Sequence, residues 1–299
     1  VSPDTEITVT SGATEAIFAA IACSVRAGDE VIVLDPCYDC YEPAVALAGG
    51  VTVHVPLRLP DFSVDWQRVR DAVTPKTRML MVNSPHNPSG AVFTDADLDA
   101  LSTLATQHGL LVISDEVYEH IVYDGVPHAS ASRRPELAER TFIVSSFGKT
   151  WHCTGWKVGY CVAPKPLTAE FRKVHQYLTF CTFHPAQCAF ADVMESDRQH
   201  TAELAAFYQS KRDRFRSLLS GSRFKLPPVH GGYFQLADYS AIRATDDLNF
   251  CEWMVREAGV AAIPVSAFYE TAPDARLVRF CFAKSDATLA AAAERLCRI

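Results

Sequence analysis

The residue with the most chemistry to offer is Lys149, which follows the apolar run Thr141-Phe142-Ile143-Val144-Ser145-Ser146 after only Phe147 and Gly148. An ammonium at the end of a buried strand is costly unless it is paired or neutralised, and a covalent imine with a carbonyl cofactor removes the charge. A lone lysine in a loop is more commonly a solvated one, so the neighbours decide. Ser146 lies three residues before it and Lys157 eight after, so a hydroxyl and an ammonium can meet on one phosphate. Gly148-Lys149-Thr150 resembles the end of a nucleotide-triphosphate loop, but that motif needs a glycine where Ile143 stands. The dinucleotide fingerprint G-x-G-x-x-G is absent as well.

Asp115 ends the run Leu110-Leu111-Val112-Ile113-Ser114, where an unpaired carboxylate would be expensive. A protonated pyridine nitrogen is a partner that would keep its ring an electron sink. A helix cap or salt bridge would also account for Asp115 alone. Tyr118, three residues on, and Asn87, from the preceding loop, can hydrogen-bond a phenolic oxygen of the same ring, and Tyr38 can cover its face or simply pack. The turn Ser11-Gly12-Ala13-Thr14 opens a helix, where free N–H groups favour a phosphate. Arg279, in Leu277-Val278-Arg279-Phe280-Cys281-Phe282, suits bidentate capture of an α-carboxylate, or equally a structural ion pair.

These residues need elements to bring them together. Short β-rich runs at 7–10, 30–35, 79–82, 110–114, 141–146 and 158–163 alternate with amphipathic segments, the rhythm of a mostly parallel sheet flanked by helices. Ligands in such folds bind outside the carboxyl ends of the strands, where the polar residues above fall. Ile17, Ile21 and Val25 recur four apart on one helix, and Thr94 with Asp97 caps a second that ends at Gly109. After Pro164 the pattern turns to long helices, with β-like runs at 233–236 and 277–282. The chain is expected to be α/β, with a large domain over 1–193 and a smaller C-terminal α+β domain over 194–299.

The 299 residues are 48% hydrophobic and 21% charged with a formal charge of −7, which suits a globular protein without a basic field for nucleic acid or an anionic membrane. No stretch is long and apolar enough to span a bilayer, so a cytoplasmic setting is expected. The ten cysteines are scattered through apolar runs, and the lone Cys37-x-x-Cys40 lacks partners for a metal, so neither a disulfide framework nor a metal is expected.

The chain resembles class I aminotransferases of fold type I, most of all the bacterial methionine and kynurenine–glutamine aminotransferase branch. The motifs that carry the likeness are TSGATEA at 10–16, NSPHNPSG at 83–90, SDEVYEHI at 114–121, SSFGKTWHCTGWKVGYCVAP at 145–164, and a tail of GVAAIPVSAFY at 259–269 with VRFCFAK at 278–284. The resemblance implies pyridoxal 5'-phosphate bound as a Schiff base to Lys149, with Asp115 on the pyridine nitrogen and Tyr118 and Asn87 on the phenolate. It implies Ala13, Thr14, Ser146 and Lys157 on the phosphate, Tyr38 over the ring, Arg279 and Asn87 at the substrate, and a homodimer. Other branches carry arginine at the Lys157 position. Relatives have a further N-terminal segment that closes over the substrate and sends a tyrosine to the partner's phosphate, and activity is expected to depend on it.

The implied reaction moves an amino group from an L-amino acid to a 2-oxo acid in a ping-pong cycle, with Lys149 as acid and base. Methionine and aromatic donors are expected, in keeping with Tyr38, Tyr177, Phe180 and Phe183. The same residues would serve β-elimination from sulfur amino acids, recognisable by pyruvate and ammonia without an acceptor. A third reading is a regulator that joins such a domain to a DNA-binding helix-turn-helix.

Overall fold

The computed structural model describes residues 1–299. Its larger sheet has seven strands: β1 Ile7–Thr10, β2 Glu30–Asp35, β3 Val51–Pro56, β4 Thr77–Asn83, β5 Leu111–Asp115, β6 Thr141–Ser146 and β7 Gly159–Val162, in the order β1-β7-β6-β5-β4-β2-β3. β3, β2, β4, β5 and β6 pair in parallel, while β7 is antiparallel to both β6 and β1. Six strands therefore point the same way, and the carboxyl ends of β1, β2, β4, β5 and β6 share one edge. The reversal of β7 puts its start, just after Lys157, at that edge as well.

Alternate residues of the buried strands feed two cores, as the two-residue period of a pleated strand requires. Val31, Val33, Met79, Met81 and Ile113 pack with Ile17 and Ile21 of the helix Ala13–Ser24 and with Phe171 of the helix Lys165–Leu178. Ile32, Leu34, Leu80, Val82 and Val112 pack on the opposite face with Leu98, Leu101 and Leu104 of the helix Asp95–His108. Each of those leucines is almost wholly buried, which contributes about 1.5–3 kcal/mol per side chain. The capping box of Thr94 and Asp97 and the left-handed Gly109 delimit this helix as the sequence predicts.

One strand of the larger sheet, β3, is not predicted from the sequence, and neither is the two-residue strand Ile263–Pro264 of the smaller sheet. Val51, Val53 and Val55 alternate with Thr52 and His54, but the run forms the sheet edge with Val51 exposed, so its apolar signal is weak. A second sheet joins β8 Phe234–Asp238, β9 Ile263–Pro264 and β10 Leu277–Cys281 in antiparallel order β8-β10-β9. Its core includes Phe250, Met254, Phe280 and Phe282, and also Tyr118, Ile121 and Tyr123 from the segment after β5. This smaller C-terminal sheet domain thus packs against the end of the large sheet that carries the polar loops. The helix His184–Ser196 runs across residue 194.

Candidate active site

The carboxyl-end loops of β1, β2, β4, β5 and β6 meet the small sheet around one pocket. Its lining includes Ala13, Thr14, Tyr38, Asn87, Asp115, Tyr118, Ser146, Lys149, Lys157 and Arg279, so all ten residues singled out from the sequence converge there. Asn83, Thr154, Phe234 and Gly12 complete its polar and apolar walls. Tyr177, Phe180 and Phe183 do not. They are 85%, 78% and 66% exposed, because they follow the solvent side and C-terminal end of the helix Lys165–Leu178, and they are neither core nor pocket wall.

At the phosphate-sized end, Gly12 caps the helix Ala13–Ser24 with φ 82°, and the free N–H groups of that helix's first turn open toward the pocket. A Cβ on Gly12 would make only ordinary contact with Lys157, 3.5 Å from Cε and 3.7 Å from Nζ, so the left-handed φ and not lack of space calls for glycine here. Lys157 itself adopts φ 54°. Gly159, two residues on, lets β7 press against the same turn: a Cβ there would meet Ser145 O at 2.6 Å and Ala13 N at 2.9 Å.

Asp115 is 5% exposed at the end of β5. Burial pushes its carboxyl up to about 6, against hydrogen bonds from Tyr41 Oη at 2.6 Å to Oδ2 and from the Val117 N–H at 3.4 Å to Oδ1. Burial, and next the like charge of Lys157, lower the pKa of the Lys149 ammonium, which favours a neutral amine at Nζ. Burial, more than its neighbour Tyr233, lifts the Tyr118 phenol well above the tyrosine range, so it stays protonated and can donate. Its ring is set edge-on by Tyr233, with centroids 5.1 Å apart.

Asn83 and His86 were visible in the loop sequence but carried no assigned role. Asn83 Nδ2 donates to the Asp115 carbonyl at 2.8 Å, and its Oδ1 accepts the Asn87 N–H at 2.8 Å, locking the ends of β4 and β5 together. His86 is buried and its pKa falls to about 4. Its Nε2–H donates to the Pro36 carbonyl at 2.9 Å while Nδ1 accepts from the Ser89 hydroxyl at 2.7 Å, so a neutral imidazole fastens the Asn87 loop to the loop that presents Tyr38. The bonds to Asp115 and Pro36 carry no local signal, because those partners lie at the ends of other strands.

Arg279 arrives from β10 of the small sheet. Nη1 donates to Asn87 Oδ1 at 2.5 Å, and the guanidinium lies 4.0 Å from the centroid of Phe234 and 4.8 Å from that of Phe268. One edge of the fork is anchored and the flat face is supported, which suits a carboxylate taken on the remaining edge. Asp35, Cys37 and His54 also gather, with ligand-type atoms within 4.8 Å of one another. The Asp35 carboxylate is already used there: Oδ1 bonds His54 Nδ1 at 2.9 Å and Oδ2 accepts the Glu270 N–H at 3.3 Å, tying β2 to β3 and to the segment after β9.

A mostly parallel sheet with this pocket at its carboxyl edge, holding a half-buried lysine, a buried aspartate and an anchored arginine, defines a group-transfer enzyme of the aminotransferase type. The model of the aminotransferase class I and II family matches residues 1–296, and the chain belongs to that family. It is similar to the methionine aminotransferase of Escherichia coli, 52% identical over 293 residues that cover 98% of this chain and 76% of that one. A solved E. coli structure described as having methionine aminotransferase function superposes with a TM-score of 0.98 at 51% identity, covering all of this chain and 79% of the other. A Mycobacterium tuberculosis N-succinyldiaminopimelate aminotransferase structure gives a TM-score of 0.96 at 42% identity, over 99% of this chain and 78% of that one. The chain is an aminotransferase.

Proposed function

We propose that this aminotransferase uses pyridoxal 5'-phosphate on Lys149 and prefers methionine or aromatic donors, with a 2-oxo acid as acceptor. The convergence of Lys149, Asp115 and the Gly12–Thr14 turn in one pocket carries the reading. The donor set fits the cofactor: a buried carboxylate that lacks a cation for the ring nitrogen, N–H groups with Lys157 and Ser146 for the phosphate, and Tyr118 with Asn87 for the phenolic oxygen.

When bound, the cofactor supplies a ring that takes up negative charge from the substrate's Cα. Arg279 binds the α-carboxylate and so fixes which bond at Cα faces Lys149. Lys149, whose ammonium is disfavoured by burial, would accept the Cα proton at Nζ and return it on the other side of the exchange. Tyr38 and the small sheet keep water from the reacting carbon.

The preference for an uncharged side chain rests on two observations. The similar E. coli enzyme is named for methionine. Within this chain the cations of the pocket are Lys149, Lys157 and Arg279, and each already has a role, so a second substrate carboxylate finds no partner. Incubation with pyridoxal phosphate, borohydride reduction and peptide mass mapping should place the added mass on Lys149, and Lys149→Ala should lose both the added mass and turnover. A variant that keeps normal turnover would sink the assignment. Half-reactions followed by cofactor absorbance should run faster with methionine and phenylalanine than with aspartate.

We place the boundary of the two domains near residue 194. The subunits are proposed to pair through a face that includes the exposed aromatic residues Tyr177, Phe180 and Phe183, close together in sequence, since exposed apolar side chains of this size are commonly covered by a partner. Ten unpaired cysteines suit a reducing compartment, in support of a cytoplasmic setting.

A further inference from the structure

We infer that Tyr41 is a positioning residue for the cofactor's ring nitrogen: its hydroxyl holds Asp115 as an oriented carboxylate and leaves one of its oxygens to the pocket. The inference rests on the proposal that the pocket binds pyridoxal phosphate. Tyr41 begins the helix Tyr41–Leu47, is 2% exposed, and is absent from the pocket lining, so it reaches Asp115 from behind. Its Oη donates to Asp115 Oδ2 at 2.6 Å across 74 residues of sequence. Oδ1 keeps only the longer contact of 3.4 Å with the Val117 N–H. One oxygen is thus committed and the other lightly held.

The ring of Tyr41 is in turn braced edge-on by Tyr38, with centroids 6.0 Å apart at 70°, so one short segment supplies both the pocket's aromatic wall and the donor to its carboxylate. The direction of donation is not in doubt chemically. Burial, followed by the charge of Asp115, raises the Tyr41 phenol well above its usual range, so the proton stays on Tyr41 while Asp115 ionises.

The other groups around Asp115 do not replace this bond. Lys149, at the end of β6, lowers the Asp115 pKa through space, less than Tyr41 and Val117 do, and Glu116 raises it. Glu116 is itself occupied, by Ser114 Oγ at 2.8 Å, His128 Nε2 at 2.7 Å and the Ala131 N–H at 3.0 Å. Cys40, on the segment that carries Tyr41, has its thiol pushed up to about 12 and stays neutral, as do the phenols of Tyr38 and Tyr118. Arg279 is engaged with Asn87.

A hydrogen bond to a charged group is worth about ten- to a hundredfold in an equilibrium constant. In the apoprotein, Tyr41→Phe should therefore raise the titration midpoint of the Asp115 carboxyl, read by carbon-13 NMR and assigned with Asp115→Asn, by about one pH unit or more. Pyridoxal phosphate affinity at pH 6.5 should fall at least about tenfold and recover by pH 9, where Asp115 ionises without help. In an Asp115→Asn background, Tyr41→Phe should leave the pH profile unmoved. Should Tyr41→Phe fail to fold, uniform 3-fluorotyrosine, which donates more strongly at nearly the same volume, should lower the Asp115 midpoint instead. An unchanged midpoint and profile in a protein that loads cofactor normally would overturn the role of Tyr41. If the wild type never loads cofactor on Lys149, the proposed function fails, while the apoprotein titration still tests Tyr41.

Discussion

Asp115 and His86 are both buried beside the pocket, and they load the protein in opposite senses. Asp115 has its folded pKa raised to about 6, so its burial is free of charge cost in acid and costs about 3 kcal/mol once pH exceeds 6. His86 has its folded pKa lowered to about 4, so its stabilisation is complete above the imidazole's ordinary range and is lost as pH falls toward 4, again by about 3 kcal/mol. The two nearly cancel in the apoprotein. Asp115→Asn should uncover the difference: relative to wild type, the variant apoprotein should gain about 3 kcal/mol at pH 8 and almost nothing near pH 4, measured by urea unfolding at each pH, while losing cofactor affinity. The cost of Asp115 was legible from its place after an apolar run. The neutrality of His86 was not, because it comes from burial, which only the tertiary packing provides and which outweighs the opposing pull of the Pro36 carbonyl 50 residues away.

At the level of elements, two kinds of constraint should respond differently to substitution. Thr94 caps an exposed helix start and is not among the residues that line the pocket, so Thr94→Ala should cost about 1 kcal/mol in unfolding free energy and leave KM and kcat unchanged. Gly159 is held by backbone on every side: Ser145 O, Ala13 N and Gly12 C would all lie within 3.0 Å of an added Cβ, and none is the movable end of a side chain. Gly159→Ala should cost about 1–3 kcal/mol and also weaken pyridoxal phosphate binding, because β7 must retreat from the turn that offers the phosphate its N–H groups. An affinity unchanged in a folded Gly159→Ala protein would show that this turn does not form the phosphate site. The helix cap could be read from four residues of sequence. The packing of Gly159 could not, since it depends on β7 running antiparallel beside β6 and β1.

The whole molecule matters most at Arg279, which belongs to the small sheet yet bonds a loop of the large one 192 residues earlier. Arg279→Lys keeps the charge but gives up the fork and the flat stack on Phe234, so the amino donor's KM should rise by about tenfold to a hundredfold. Covalent loading of Lys149 should be retained, because that residue sits in the short helix Phe147–Thr150 just after β6, in the large domain. If loading fell together with substrate affinity, Arg279 would instead be holding the two sheets together. The aromatic group of Phe180 and Phe183 offers a second test at this scale: changing both to Asp should abolish self-association in sedimentation while leaving the monomer's fold intact.

What the sequence alone determined was whatever neighbouring residues specify: five of the parallel-sheet runs and β7, the two capped helices, and a polar residue at nearly every strand end. The rule that ligands gather at those ends pointed to eight of the ten pocket residues; Lys157 was noted from its spacing after Lys149 and Arg279 as a guanidinium in an apolar run, and the family resemblance gave all ten their roles. Tertiary structure decided the rest. It made β3 an edge strand out of a weak valine alternation, turned Tyr177, Phe180 and Phe183 outward, brought Asn83 into the pocket wall and set Tyr41 and His86 behind it. The physical reason is that periodicity and capping are energies of adjacent residues, whereas the hydrogen bond from Tyr41 to Asp115 exists only once the large sheet has formed, and that from Arg279 to Asn87 only once the small sheet has docked on it.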